Sequence, residues 1–243
     1  MNITINLDDF SYDCEQRTIN LKKFQKKYGY SIIPVSYWEP IPSLDGIDIE
    51  DITAKDVLMP IDFQYDFSFV ASLSASLCNS ENFPEYIKKN PMFPLGDINA
   101  YIAMIKFYQP SKIIEIGGGY STCASYFAVQ KLNLKTEIIC IEPEPNNHLI
   151  ELSHKGRVSL LKMKVQDISQ SELKKIKSLK DNDILFIDTS HINVRGSDTN
   201  FIFIKLFPLL CNNVLIHVHD IFLPYDYYRG MYYKAGRFYT EQY

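Results

Sequence analysis

Five short apolar runs in the second part of the chain limit what it can fold into. They are "SKIIEIG", "KTEIICIEP", "VSLLKMKVQD", "DILFIDTS" and "NVLIHVHD". Between them lie "STCASYFAVQKL", "NNHLIELSHKG", "SQSELKKIKSL" and "TNFIFIKLFPLL", which read as helices. A strand wetted on one face alternates apolar and polar residues, but these runs are apolar almost throughout. Such strands, each followed by a helix, predict a doubly wound, mostly parallel α/β sheet covered on both faces, in the order 3-2-1-4-5. Ligands in sheets of this kind bind beyond the carboxyl ends of the strands. The residues just after each run are therefore the candidates for function.

Residues 1–95 lack this rhythm and are expected to form an N-terminal cap or lid, with the sheet domain spanning 96–243. Within the first part, "NLKKFQKKYGY" reads as a short helix ending at Gly29. "SIIPVSYWEPIPSLDGI" reads as extended, because its three prolines exclude a helix interior or a central strand. "DFSFVASLSASLCNS" reads as a helix. "PMFPLGD" is a turn, with Asp97 the expected N-cap of the helix "INAYIAMIKFY".

The first strand ends in "EIGGGYST", and glycines packed in this way bring the backbone close to a ligand. A dinucleotide fingerprint needs G-x-G-x-x-G, and here its third glycine falls on Thr122, which disfavours NAD. In its place stands Glu115-x-Gly117-x-Gly119, whose carboxylate is suited to neighbouring backbone amides and a cationic ligand group. Glu142 ends the second strand, where an acid hydrogen-bonds ribose hydroxyls. Asp167 follows the third strand, placed for an adenine edge or for capping the next helix.

Composition narrows the partners. The net charge of −4 gives no footprint for nucleic acid or an anionic membrane surface. No apolar run approaches the ~20 residues of a membrane helix, and "MNITINLDDF" is not a secretory signal. The five cysteines are scattered, without Cys-x-x-Cys, and those at 123, 140 and 211 read as buried free thiols. A reducing cytoplasm is the expected location.

"EIGGGYST", "CIEPEP", "VQD" and "LFIDTSH" resemble the successive motifs of class I S-adenosylmethionine-dependent methyltransferases. The resemblance spans residues 95–243 and implies a Rossmann-like fold. "FIDTSH", "GSD", "HVHDIFLPYDY" and "GRFYTEQY", together with "YGYSIIPVSYWEPIP", are similar to a bacterial subgroup grouped with methyltransferase family 24. The resemblance implies that Glu115 and Gly117, Gly118 and Gly119 cradle the methionine part of S-adenosylmethionine, Glu142 its ribose and Asp167 its adenine side, with Asp188 also in the cofactor set. The family's third glycine is Ser121 here. The family sheet has seven strands, and only 23 residues follow Asp220, so the terminal strands are expected to be missing.

"IDTSH" and "HVHD" put His191 and His219, with Asp188 and Asp220, at the mouth of the sheet. Methyl transfer to a hydroxyl needs alignment and removal of a proton, which a histidine near its ordinary pKa of ~6.5 can accept. His191 and His219 are therefore the candidate catalytic residues, and His217 reads as a packed strand histidine. Asp188 and Asp220 are candidate Mg²⁺ ligands by similarity to catechol and macrocin O-methyltransferases, although His219 stands where those enzymes have an acid. The aromatic tail "FLPYDYYRGMYYKAGRFYTEQY" suits either an acceptor pocket or a homo-oligomer seam. The expected activity is O-methylation of a small molecule or sugar. A non-catalytic protein that keeps the fold for assembly is the alternative.

Overall fold

The computed structural model describes residues 23, 26, 27, 68, 83–223, 225–227, 231 and 237–243. By backbone contacts the chain divides into Met1–Ile52 and Thr53–Tyr243, and the sheet lies in the second unit. Lys23, Lys26 and Lys27 are helical and exposed. The proline-rich extended stretch lies outside the described residues, as does the helix expected at "DFSFVASLSASLCNS" apart from the helical Ser68.

The strands among the described residues are β1 (Lys112–Ile116), β2 (Glu137–Ile141), β3 (Ser159–Leu161), β4 (Ile184–Ile187) and β5 (Leu215–Val218). They form one parallel sheet in the order β3-β2-β1-β4-β5, as the apolar runs require. β3 is far shorter than its apolar run. It pairs with β2 only through Ser159–Leu161, then Met163 N–H turns back onto the Leu161 carbonyl at 2.9 Å. The remainder, Val165–Asp167, is a 3₁₀ turn.

Between residues 83 and 223 the helices are α1 (Glu85–Lys88), α2 (Leu95–Tyr108), α3 (Tyr120–Lys131), α4 (Asn147–His154), α5 (Gln170–Lys177) and α6 (Asp198–Phe201). α6 runs on as a π-helical turn, Ile202–Leu206, and a 3₁₀ turn, Phe207–Leu209. Pro208 lacks the N–H to continue an α-helical ladder there. α5 begins with a capping box in which Ser169 and Glu172 satisfy each other's backbone amides, so Asp167 is not its cap. α2 starts two residues before Asp97, with Pro94 at the cap position, so the expected cap role of Asp97 is replaced by a place in the first turn.

Alternate strand residues face two separate cores. Ile113 and Phe186 pack beneath α2 and α3, in a cluster that also holds Phe83, Ile87 and Phe93. Ile114, Ile116, Leu185 and Ile187 pack on the other face with Ile176, Ile202 and Leu206. The expected boundary between residues 95 and 96 cuts through the first cluster, since Phe83 and Ile87 are buried in it. The amino ends of β1 and β4 are pinned by buried Asp183, which accepts from Ser111 Oγ and Lys112 N–H at 2.8 Å and Lys180 N–H at 2.9 Å. Cys123 and Cys140 are buried thiols as expected, but Cys211 is exposed, with Sγ 3.0 Å from the Leu179 carbonyl.

Candidate active site

The carboxyl ends of β1, β2, β4 and β5 open on two adjoining cavities of about 420 and 390 Å³. Gly117, Glu142, Asp188 and Thr189 line both. The first cavity reaches Val165 and Gln166 beyond β3; the second reaches Gly118, Gly119, His191, His219 and Asp220. Volumes of this size hold small molecules.

The glycine turn is dictated first by the protein's own chain. Gly117 has φ +77°, and a Cβ there would lie 1.6 Å from the Asp188 carbonyl oxygen. A Cβ on Gly118 would lie 2.2 Å from Cys140 Sγ and 2.5 Å from Thr122 Oγ1. At Gly119 the nearest atom is the Asn146 side-chain nitrogen, 3.0 Å away, a neighbour that can shift. The first two glycines thus let β1 leave the sheet between β2 and β4 without displacing either. All three line the second cavity.

Glu115 is placed otherwise than expected. It faces the core under α3 and is fully buried. Its carboxylate accepts from four hydroxyls: Tyr101 at 3.1 Å, Ser121 at 2.9 Å, Thr122 at 2.7 Å and Ser125 at 2.6 Å. Burial raises its pKa against the pull of these donors. With both oxygens engaged and no cavity surface, it fixes the start of α3 to β1 rather than touching a ligand or a backbone amide. Tyr101 and Ser125, which the sequence reading passed over, complete this network.

Glu142 is half-buried at the junction of the cavities. One carboxylate oxygen accepts from Gly118 N–H at 3.1 Å and the other from Glu144 N–H at 2.7 Å. Asp167 is exposed and lines neither cavity. Its neighbour Gln166 does, reaching the Gly196 carbonyl at 3.3 Å.

Beyond β4 and β5 the charged residues converge. His191 Nε2 is 3.2 Å from Asp188 Oδ1 and 3.7 Å from Asp220 Oδ2. Its Nδ1 is 2.8 Å from Glu241 Oε2, with both side chains buried. His219 Nε2 is 3.3 Å from Asp97 Oδ2. Its Nδ1 lies 3.6 Å from Asp188 Oδ1 and 3.5 Å from Asp220 Oδ1, and makes no hydrogen bond. His217 packs on Phe186 and Tyr101, with ring centroids 4.6 and 5.5 Å away, and stays outside the site as expected.

Residues 114–221 match a family model described as a methyltransferase domain. An uncharacterised protein of the archaeon Archaeoglobus fulgidus is 35% identical over 163 residues, which cover 60% of this chain and 74% of that protein. The chain belongs to the class I S-adenosylmethionine-dependent methyltransferases. The methyltransferase is also similar to the crystal structure of SAH-bound Podospora anserina methyltransferase PaMTH1, at 20% identity and a TM-score of 0.36 over 66% of this chain and 73% of that one.

The electrostatics of the methyltransferase site depart from the simple expectation of a histidine near its ordinary pKa. Burial works to lower His191, but Asp188 and Glu241 outweigh it and push the ring up to about 9. Burial likewise works to raise Asp188, and its two histidine partners hold it well below the usual carboxylate range. His219 is raised by Asp188, Asp220 and Asp97 against its own burial. His191 is therefore an imidazolium at neutral pH.

The methyltransferase sequence does not single out Glu241, Asp97 or Tyr239 as members of the site. Glu241 is fifty positions from its partner. The Tyr239 ring lies tilted against His191, with centroids 4.4 Å apart, and with Arg237 it walls the second cavity. The one available signal was the density of aromatic and charged residues in the tail.

Proposed function

We propose that the methyltransferase acts on a hydroxyl of a small-molecule or sugar acceptor bound in the second cavity. The observation that carries this reading is His219 Nδ1, a buried ring nitrogen without a hydrogen-bond partner, facing the space between Asp188 and Asp220. A ring whose Nε2–H is held toward Asp97 keeps Nδ1 as an acceptor. That nitrogen takes the acceptor's proton, and the proton remains close to two carboxylates that stabilise it. Tyr239, Phe93 and Met92 supply the apolar wall against which a ring can lie.

The cavities fit the cofactor in two parts, and S-adenosylmethionine supplies the electrophilic methyl group. Glu142, already fixed by Gly118 and Glu144, presents its carboxylate at the junction where ribose hydroxyls would lie. Gly117, Gly118 and Gly119 leave the floor of the second cavity without side chains for the methionine part. Val165 and Gln166, rather than Asp167, flank the space for the base.

Mg²⁺ fits less well. Donor atoms of Asp188, His191 and Asp220 lie within 4.8 Å of one another. An imidazole that carries protons on both nitrogens has no lone pair for a metal, and Mg²⁺ favours oxygen ligands. The positive charge among these acids is the protonated His191 ring itself. A cytoplasmic, monomeric or oligomeric setting is compatible with this chemistry; among the described residues no helix is long and apolar enough to cross a membrane.

The reading is tested with a screen of sugar nucleotides and catechol-like phenols as acceptors. His219→Asn should then lower turnover by about 10²–10⁴ while leaving S-adenosylmethionine binding nearly unchanged. Unchanged turnover in that variant would exclude His219 as the base, and loss of all turnover with a chelator would restore a metal mechanism.

A further inference from the structure

The seven described residues at the end of the chain are tied to the site more tightly than a covering tail requires. Thr240 and Glu241 both donate their backbone N–H to the His191 carbonyl, at 2.8 and 3.2 Å. Thr240 Oγ1 accepts from Asn193 N–H at 2.7 Å. Gln242 Oε1 accepts from Phe222 N–H at 3.1 Å, on the loop that follows β5. One short segment therefore joins the loop after β4 to the loop after β5. His191, at the centre of these bonds, sits at φ +58°, a conformation a non-glycine residue holds only when its surroundings enforce it.

Within this clamp Glu241 is 5% exposed and His191 4%. Oε2 faces His191 Nδ1 at 2.8 Å, while Oε1 is buried without a partner. A buried carboxylate held by a single side-chain partner is costly unless that partner is charged and the contact well directed. We infer that Glu241 is the positioning residue of the site: it fixes the His191 ring through Nδ1 so that Nε2 is aimed between Asp188 and Asp220, and so sets the spacing of the two carboxylates that flank the acceptor. The tail segment is by this account a built part of the catalytic centre. A ring held at one nitrogen presents the other in a defined direction, which an unanchored ring packed on Tyr239 alone would not.

The inference rests on the reading of the second cavity as the acceptor space, and its test is separable from that reading. The full chain is labelled with ¹⁵N-histidine and the His191 ring is followed by one-bond proton–nitrogen correlation at pH 7. In the unmodified chain the Nδ1 proton should be visible, protected from exchange by its buried carboxylate. Glu241→Ala should lose that signal, with S-adenosylhomocysteine affinity read by calorimetry on the same sample. Glu241→Gln keeps an acceptor of the same shape and should retain a visible but shifted proton. Thr240→Val removes a tail anchor without the carboxylate and should leave the Nδ1 signal in place. An Nδ1 proton unchanged in Glu241→Ala would overturn the inference. Should that variant not fold, an unshifted signal in Glu241→Gln would overturn it alone. Failure of S-adenosylhomocysteine to bind the unmodified chain would strike the functional reading instead, leaving the ring measurement to stand or fall separately.

Discussion

Replacing Gly117 by alanine tests the close approach on which the site is built. Two costs add at this position. A non-glycine residue at φ +77° pays the left-handed penalty, about 1–2 kcal/mol. The new methyl also falls 1.6 Å from the Asp188 carbonyl oxygen, a backbone atom that cannot rotate away. Overpacking a fixed neighbour adds roughly 1–3 kcal/mol or more, for a total of about 2–5 kcal/mol. The chain contains its own control: Gly156 has φ +65°, but a Cβ there meets nothing within 4 Å. Gly156→Ala should therefore cost only the conformational ~1–2 kcal/mol. Both variants are compared by urea unfolding and by calorimetric titration with S-adenosylhomocysteine. Gly117→Ala should lose the larger stability and most of its affinity, because the displaced carbonyl belongs to Asp188, which lines both cavities. Gly156→Ala should bind as the unmodified chain does. Equal stability loss in the two variants, with affinity intact in both, would refute the argument.

Glu115→Ala removes the carboxylate shared by four hydroxyls, of which Ser125 alone keeps a close second acceptor, the Thr122 carbonyl, and should cost at least ~3 kcal/mol in unfolding experiments; a neutral effect would mean the carboxylate is not needed to seat α3. Glu142→Ala should weaken S-adenosylhomocysteine binding by roughly 1.5–3 kcal/mol, the scale of a hydrogen bond to a charged group, and equal affinity would remove the ribose assignment. Burial on Phe186 and Tyr101 lowers His217 to about 4, below its unfolded value of ~6.5, so its contribution to stability is complete above pH ~6.5 and erodes as pH falls toward 4. His191 has the opposite sign: raised to about 9, it contributes fully below pH ~6.5 and its contribution is lost as pH rises through 9. Melting temperatures of His217→Phe and His191→Asn across pH 4–10 should flatten the acid and alkaline limbs respectively, and parallel curves for all three chains would contradict both assignments.

The parallel sheet was legible because strands buried on both faces are apolar nearly throughout, and Ile113–Ile116 and Ile184–Ile187 are such strands. Where a run outlasted its pairing, as "VSLLKMKVQD" does beyond Leu161, sequence overstated the strand, since apolar content reports burial and not ladder hydrogen bonds. α2 starts earlier than a cap at Asp97 predicts, because Pro94 sets its boundary. Glu115 illustrates a deeper limit. Its neighbours in the strand show which face it takes, but the hydroxyls that fill it come from α2 and α3, and only the fold brings them together. The histidines were found from their places at strand ends. Their charge states were not, because His191 is raised by Asp188 together with Glu241, and the position of Glu241 in the chain gives no hint of its contact.

The central claim is that the cleft beside Gly117, Glu142 and Asp188 is built for S-adenosylmethionine rather than for a dinucleotide. Calorimetric titration of one sample with S-adenosylhomocysteine, S-adenosylmethionine and NAD tests it most directly. The account predicts saturable one-site binding of the first two, weakened in Glu142→Ala, and no heat from NAD beyond dilution. Binding of NAD with no response to S-adenosylhomocysteine would contradict it.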